Sequence, residues 1–138
     1  MDAYRTLLAD LCREVGIADA ASLIRDGRLV IDGTEIALSR GLGGDAEYVW
    51  ICVDFGEIPR SKTLSAYRAM LEANLVAGGL DTGLLSLHAG NGRAVLVTRR
   101  PLTTALSGES LAHALVEYVA MAESWRARVC GVRDAPGM

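Results

Sequence analysis

Residues 47–55 read EYVWICVDF, and this stretch decides the fold. Every second position carries a large apolar residue, which is the period of a β-strand with one buried face: Val49, Ile51, Val53 and Phe55. The opposite face begins with Tyr48, Trp50 and Cys52 and reaches a charge only at Asp54. A half-solvated antiparallel strand alternates more cleanly than this. We therefore expect another element, a second copy of the chain or a ligand to cover that face.

Upstream of this strand the chain begins with a helical pattern. An amphipathic stripe that follows Asp2 predicts a first helix ending near Val15. Residues 17–26 are rich in small side chains and are predicted as a connection that could hold one further helical turn.

A hairpin then leads into the central strand. Asp32 and Gly33 predict a tight turn between two short strands, which cover residues 28–31 and 34–39. The glycine-rich residues 41–45 are predicted as a flexible loop between this hairpin and the central strand.

Downstream, residues 62–77 predict a second helix that carries two apolar stripes. One stripe has large side chains: Leu64, Tyr67, Leu71 and Leu75. The other is built mostly of small ones: Ala66, Ala69, Met70, Ala73, Val76 and Ala77. A helix that is apolar on two sides must be sandwiched between two partners.

The remaining elements are two strands and a last helix. The strands are predicted over residues 84–88 and 93–99, and Ser107 caps a helix in which Trp125 packs into the core. The order α-β-β-β-α-β-β-α predicts an α+β fold in which helices pack on an antiparallel sheet. We expect one domain over residues 1–130 and a disordered tail over residues 131–138.

Composition excludes several classes of protein. The chain has 138 residues, 51% of them apolar, and a net charge of −3, so one domain rich in apolar surface is expected. An acidic balance argues against nucleic-acid binding. No apolar run approaches the roughly 20 residues of a membrane span, and the N-terminus lacks the layout of a signal peptide. These features predict a cytoplasmic protein with no membrane span.

Catalytic motifs are missing from the sequence. Cys12, Cys52 and Cys130 are far apart, which supports neither a zinc knuckle nor a redox pair. The histidines are His88 and His113, and neither has a partner motif nearby. A small enzyme that uses Cys52 with either histidine is an open alternative, although a cysteine within an apolar strand is usually inert packing. We expect no catalytic residue, no cofactor and no metal ion.

The second half of the chain carries a family resemblance. Residues 71–75 read LEANL and a glycine pair follows; a hairpin then reads LLSL and AVLV, and residues 122–126 read AESWR. This succession resembles the Tir chaperone (CesT) family, the class I chaperones of bacterial type III secretion systems. The order of elements agrees over about residues 2–130, and the sharp matches lie in the second half.

The resemblance implies a homodimeric, non-enzymatic chaperone that uses no ATP and needs no cofactor. It would bind the N-terminal segment of a secreted effector protein in extended form and keep it soluble and competent for secretion. Family dimers form largely through the second helix and the strand after it, which implies an interface on the small stripe: Ala66, Ala69, Met70, Ala73, Val76 and Ala77. The alternative is that this stripe packs on the last helix of the same chain.

An extended peptide can add to an open sheet edge and place alternate side chains in apolar pockets. Candidate groove residues come from the first helix and the sheet: Leu8, Leu11, Leu29, Ile31, Leu38, Trp50, Leu85 and Leu87. Each of these could instead be ordinary core. A second hypothesis in the same fold class is a regulatory adaptor that binds a secretion-linked transcriptional regulator.

Overall fold

The computed structural model describes residues 2–129. Its helices are α1 (Ala3–Val15), α2 (Ala20–Asp26), α3 (Thr63–Ala77) and α4 (Gly108–Arg128), with a short 3-10 helix, Arg60–Lys62, before α3. Its strands are β1 (Arg28–Ile31), β2 (Thr34–Gly43), β3 (Ala46–Gly56), β4 (Leu84–Leu87) and β5 (Ala94–Pro101). The α+β fold class is confirmed. Cys130 and the predicted tail lie outside the described residues, so the domain extent of 1–130 stays a prediction.

The strands form one antiparallel sheet in the order β1-β2-β3-β5-β4, which leaves β1 and β4 at its two edges. Helices α1 and α4 pack on each other, and α4 packs on β3. The core between them includes Leu8 and Leu11 of α1, Ile51 of β3, and Leu111 and Leu115 of α4. Within residues 2–129, no helix is both long and apolar enough to cross a membrane.

Helix α2 is an element that the sequence-based prediction treated as a connection. The Asp19 carboxylate accepts a hydrogen bond from the Ser22 N–H at 3.0 Å and caps its first turn. Gly27 ends the helix in the left-handed region at φ 69°, and Leu23 anchors it in the core. Where the sequence analysis allows one further helical turn, the structure has a seven-residue helix with a cap at each end.

Strand β2 extends through the glycine-rich stretch, so the predicted flexible loop over residues 41–45 is wrong. Gly41 pairs with Tyr48 and Gly43 pairs with Ala46, and the chain turns only at Gly44. A Cβ on Gly41 would lie 2.7 Å from Nε1 of Trp50, and one on Gly43 would lie 2.6 Å from the ring of Tyr48. The glycines stay in the strand because aromatic rings from β3 occupy the space above them.

The second face of β3 is covered by side chains of the sheet itself. The Arg99 guanidinium on β5 lies 4.2 Å from the ring centroid of Tyr48 and 5.5 Å from that of Trp50, and it forms an ion pair with Asp81 at 2.9 Å. Stacking of an arginine on aromatic faces is favourable. Tyr48, Trp50 and Cys52 are therefore only partly buried on this face, and the helices lie on the other one.

Candidate functional site

An apolar groove runs along the β1 edge of the sheet, and we call it the β1-edge groove. Its volume is about 480 Å³, and its apolar lining comes from α1, β1 and α4: Val15, Val30, Ile31, Ala112 and Val116. Glu14, Asp32 and His113 also line it. Val30 is 59% exposed and Val116 is 53% exposed, so the groove presents large apolar side chains to solvent.

The backbone of β1 is open toward this groove. Leu29 and Ile31 pair with Ile36 and Thr34 of β2 across a two-residue turn, and the Leu38 N–H donates to the Gly27 carbonyl at 2.6 Å. Backbone groups in an antiparallel ladder alternate between facing the partner strand and facing away. The N–H and C=O of Val30 therefore point out of the sheet, beside the apolar lining.

The opposite edge of the sheet carries a second groove, the α3–β4 groove, of about 370 Å³. Tyr67, Met70 and Leu71 of α3 line one side, and Leu85 and Leu87 of β4 line the other. Helix α3 packs along β4 here, and the Asn74 side chain joins the two elements by donating one hydrogen bond to the Leu85 backbone and accepting another from it.

A third groove, the α3–α4 groove, separates those two helices and has a volume of about 450 Å³. Ala73 and Ala77 of α3 line one side, and Trp125 of α4 lies against Phe55 with the two ring centroids 6.1 Å apart. Trp125 is buried, as predicted, and its Nε1 has no hydrogen-bond partner among the described residues.

One side of α3 is apolar and exposed, and at Leu71 it borders the α3–β4 groove. We call it the α3 outer face, and it consists of Leu64, Leu71, Leu75 and Val76, which are 83%, 71%, 85% and 88% exposed. Large exposed apolar side chains that cluster on one helix are typical of interaction surfaces.

The predicted groove residues do not form one surface. Ile31 lies in the β1-edge groove and Leu85 and Leu87 lie in the α3–β4 groove, while Trp50 lies on the open face of the sheet across Gly41. The other four are core residues with 0–6% exposure, the alternative that the sequence left open: Leu8, Leu11, Leu29 and Leu38. These four face the helix–sheet core, so they cannot contact a client without rearrangement.

The predicted dimer residues are also divided. Ala66 and Met70 are buried within their own chain, at 0% and 5% exposure. The element beside them is β4 rather than the last helix, from which the α3–α4 groove separates α3. Ala69 and Ala77 are half-buried, whereas Ala73 and Val76 are exposed. The large stripe is exposed at Leu64, Leu71 and Leu75, while Ala66 and Met70 are the side chains through which α3 packs along β4.

Cys52 and His88 line the same shallow depression of about 180 Å³ on the open sheet face. Burial, together with the charge of Asp54, raises the pKa of the Cys52 thiol, which keeps the sulfur protonated and weakly nucleophilic at neutral pH. The Nδ1 atom of His88 accepts a hydrogen bond from the Gly90 N–H at 3.0 Å. Within residues 2–129, no hydrogen bond joins Cys52 to His88.

His113 lies apart from both, in the β1-edge groove. Metal-ligand clusters of three or more His, Cys, Asp or Glu are also missing from the described part of the chain. Hydrolysis requires a nucleophile, a base and an orienting group in mutual contact, and within residues 2–129 the hydrogen bonds of Cys52, His88 and His113 do not join them into such a set.

Solved structures with this fold include two complexes. One is the ExoT–SpcS complex from Pseudomonas aeruginosa, with a TM-score of 0.62, 18% identity, and coverage of 88% of this chain and 96% of that chain. The other is the HopA1–SchA chaperone–effector complex, with a TM-score of 0.60, 20% identity, and coverage of 91% and 94%. These likenesses establish the α+β fold of the chain.

Among curated proteins, none matches this chain. The model of the Tir chaperone protein (CesT) family matches residues 6–126, which is most of the chain. The chain belongs to this family of type III effector chaperones, as the resemblance in its second half predicted.

Proposed function

We propose that the protein is a cytoplasmic, homodimeric chaperone that binds the N-terminal segment of a type III effector in extended form. It uses no ATP and no catalytic residue, and it keeps the effector soluble and competent for secretion. The observation that carries this proposal is the β1-edge groove, where an open backbone edge at Val30 lies beside apolar side chains from α1 and α4.

Such an edge suits a client that is still unfolded. The incoming segment pairs with the outward backbone groups of β1. These main-chain hydrogen bonds form with many sequences, whereas every second side chain enters the groove, whose shape and chemistry determine which sequences bind. Burial of apolar area contributes roughly 25 cal/mol per Å² and offsets an ordering cost of several kcal/mol. Glu14 and Asp32 at the groove favour a client segment that carries Lys or Arg beside its apolar residues.

The α3 outer face supports the homodimer. Four large apolar side chains that are each more than two-thirds exposed would be costly on an isolated protein and are typical of a surface covered by a partner. The proposed interface is therefore Leu64, Leu71 and Leu75 of the large stripe together with Val76, the one residue that it keeps from the small stripe. A dimer formed here carries two β1 edges, so one client chain can engage both.

Capture of the client tests this function. The tagged protein is purified from its native host, and the bound proteins are identified by mass spectrometry. We expect an export substrate that binds through its N-terminal segment and is lost from a Val116→Asp variant. Met121→Asp is the matched control, because Met121 lies on the same helix but lines the α3–α4 groove instead. Capture of a transcriptional regulator would favour the adaptor hypothesis, and equal capture by both variants would contradict the β1-edge site.

A further inference from the structure

The two edges of the sheet differ in one side chain, Asn74. Its Nδ2 donates a hydrogen bond to the Leu85 carbonyl at 2.9 Å, and its Oδ1 accepts one from the Leu85 N–H at 2.7 Å. A carboxamide carries one acceptor and a donor side by side, as a peptide group does. Asn74 therefore occupies the edge of β4 as one residue of a neighbouring strand would.

Leu85 is the position that an incoming strand would need. Strand β4 covers only Leu84–Leu87, and its other side pairs with β5. Because outward groups alternate with inward ones, Leu85 and Leu87 are the outward residues of this strand. Just before it, the Gly83 N–H donates to the Gly79 carbonyl at 3.0 Å. Because Asn74 already bonds the Leu85 backbone, too few adjacent free backbone groups remain on β4 for a stable ladder with an incoming strand.

The geometry of α3 holds Asn74 in this position. Ala66, Met70 and Asn74 follow one another at helical intervals of four residues on the side of α3 that packs on β4. Ala66 and Met70 are buried, so packing of the helix holds the Asn74 side-chain amide beside the edge of β4. Among the described residues, no side chain makes the equivalent pair of bonds to Val30 on β1.

We propose that Asn74 is a specificity-determining residue that closes the β4 edge and so directs the extended client to the β1 edge alone. The inference rests on the proposed function, since it concerns where the client strand adds. It also implies that two protomers do not pair through their β4 edges, because each Leu85 is already occupied.

Backbone amide exchange measured by NMR tests whether the edge is closed. In the wild type, the Leu85 N–H should be protected and the Val30 N–H should exchange freely. Asn74→Ala should speed exchange at Leu85 by about tenfold, the loss expected for one hydrogen bond. Asn74→Asp, measured below the carboxyl pKa of about 4, keeps an acceptor for this N–H and a protonated oxygen that donates to the Leu85 carbonyl, so it should retain the protection, which a general loosening of α3 would not allow. Asn91→Ala is the matched control, because the Asn91 side chain accepts a bond only from its own turn, at the Arg93 N–H.

A spin-labelled strand tests the specificity. The probe is the synthetic peptide KTVTVTVK with a nitroxide at one end, and the readout is broadening of amide signals at each edge. We expect broadening at Val30 in every variant, and at Leu87 only in Asn74→Ala. Equal broadening at Leu87 in the wild type would overturn the inference, as would its absence in an Asn74→Ala protein whose Leu85 exchanges rapidly. Absence of broadening at Val30 would count against the proposed function instead, and the comparison at Leu87 would still decide the role of Asn74.

Discussion

The indole of Trp50 lies across the backbone of Gly41 on the neighbouring strand, where a Cβ would come within 2.7 Å of Nε1. The ring is held from its other side by Arg99, whose guanidinium lies 5.5 Å from its centroid. A position that reads as a loop residue in the sequence is thus a packing position on the open face of the sheet.

Substitution of Gly41 should consequently be destabilising even by the smallest side chain. We expect Gly41→Ala to lower the free energy of unfolding by about 1–3 kcal/mol, the usual cost of overpacking, because the indole must leave its position. Urea denaturation measures the loss. Gly79→Ala is the control, since a Cβ there meets nothing within 4 Å; equal losses at the two sites would contradict the packing role of Gly41.

The α3 outer face should control assembly. Leu71→Asp combined with Leu75→Asp places charge on two side chains that are 71% and 85% exposed, so the fold should survive while the interface does not. Light scattering after size-exclusion chromatography should show a dimer for the wild type and a monomer for the double variant. Val30→Asp, at the other edge of the sheet, should remain dimeric, and a monomeric wild type at micromolar concentration would refute the proposed interface.

The ion pair between Asp54 and Arg93 should make stability depend on pH. The carboxylate accepts two hydrogen bonds from Arg93, at 2.9 and 2.8 Å. Burial alone would raise the pKa of Asp54, but the bonds and charge of Arg93 and the Gly56 N–H together lower it below its ordinary value. A lowered pKa in the folded state stabilises the fold above the unfolded pKa of about 4, and this contribution is lost as the pH falls through the folded value.

Asp54→Asn should therefore cost about 1 kcal/mol at pH 7, a value reduced for the partial exposure of the pair. The difference from the wild type should shrink as the pH is lowered below about 4, as measured by urea denaturation across a pH series. Glu72→Gln removes the exposed pair with Arg68 and should change stability little at any pH. A loss in Asp54→Asn that is constant with pH would show that the charge of Asp54 is not its cause.

The start of α4 should be sensitive to its cap. Ser107 Oγ accepts a bond from the Ser110 N–H at 3.1 Å, and Ser110 Oγ accepts one from the Ser107 N–H at 3.0 Å. Ser107→Ala should cost about 1 kcal/mol, read as a lower midpoint of urea unfolding. Ser124→Ala, within the same helix, should be neutral or slightly stabilising because alanine is the better helix former. Equal effects of the two substitutions would argue against the cap.

The sequence predicts most of the fold because local signals and tertiary packing agree there. The alternation of residues 47–55, the hairpin turn at Asp32 and Gly33 and the cap at Ser107 all appear where they were expected. The prediction fails for the glycine-rich stretch because local propensity favours a loop wherever glycines cluster. The contact that keeps Gly41 in the strand, with the Trp50 ring, is a tertiary one that local propensity does not include.

The sites are harder to predict than the fold. Periodicity shows that α3 has two apolar stripes, but it does not say which of them faces the chain itself. Part of the small stripe does: Ala66 and Met70 are buried where the helix lies along β4, whereas Ala73 and Val76 are exposed. Likewise, the sequence pattern gives Leu8, Leu38 and Val30 the same apolar character. In the structure Leu8 and Leu38 are buried in the core, whereas Val30 is exposed and lines the β1-edge groove.

The shortness of β1 has a consequence for how a client leaves. A strand of four residues presents only the outward backbone groups of Arg28 and Val30, so one edge contributes a few hydrogen bonds of about 1 kcal/mol each. On the proposed dimer, two such weak contacts would reinforce each other through high effective concentration. A client bound in this way would be held tightly overall, yet a force applied at one end could separate it one contact at a time.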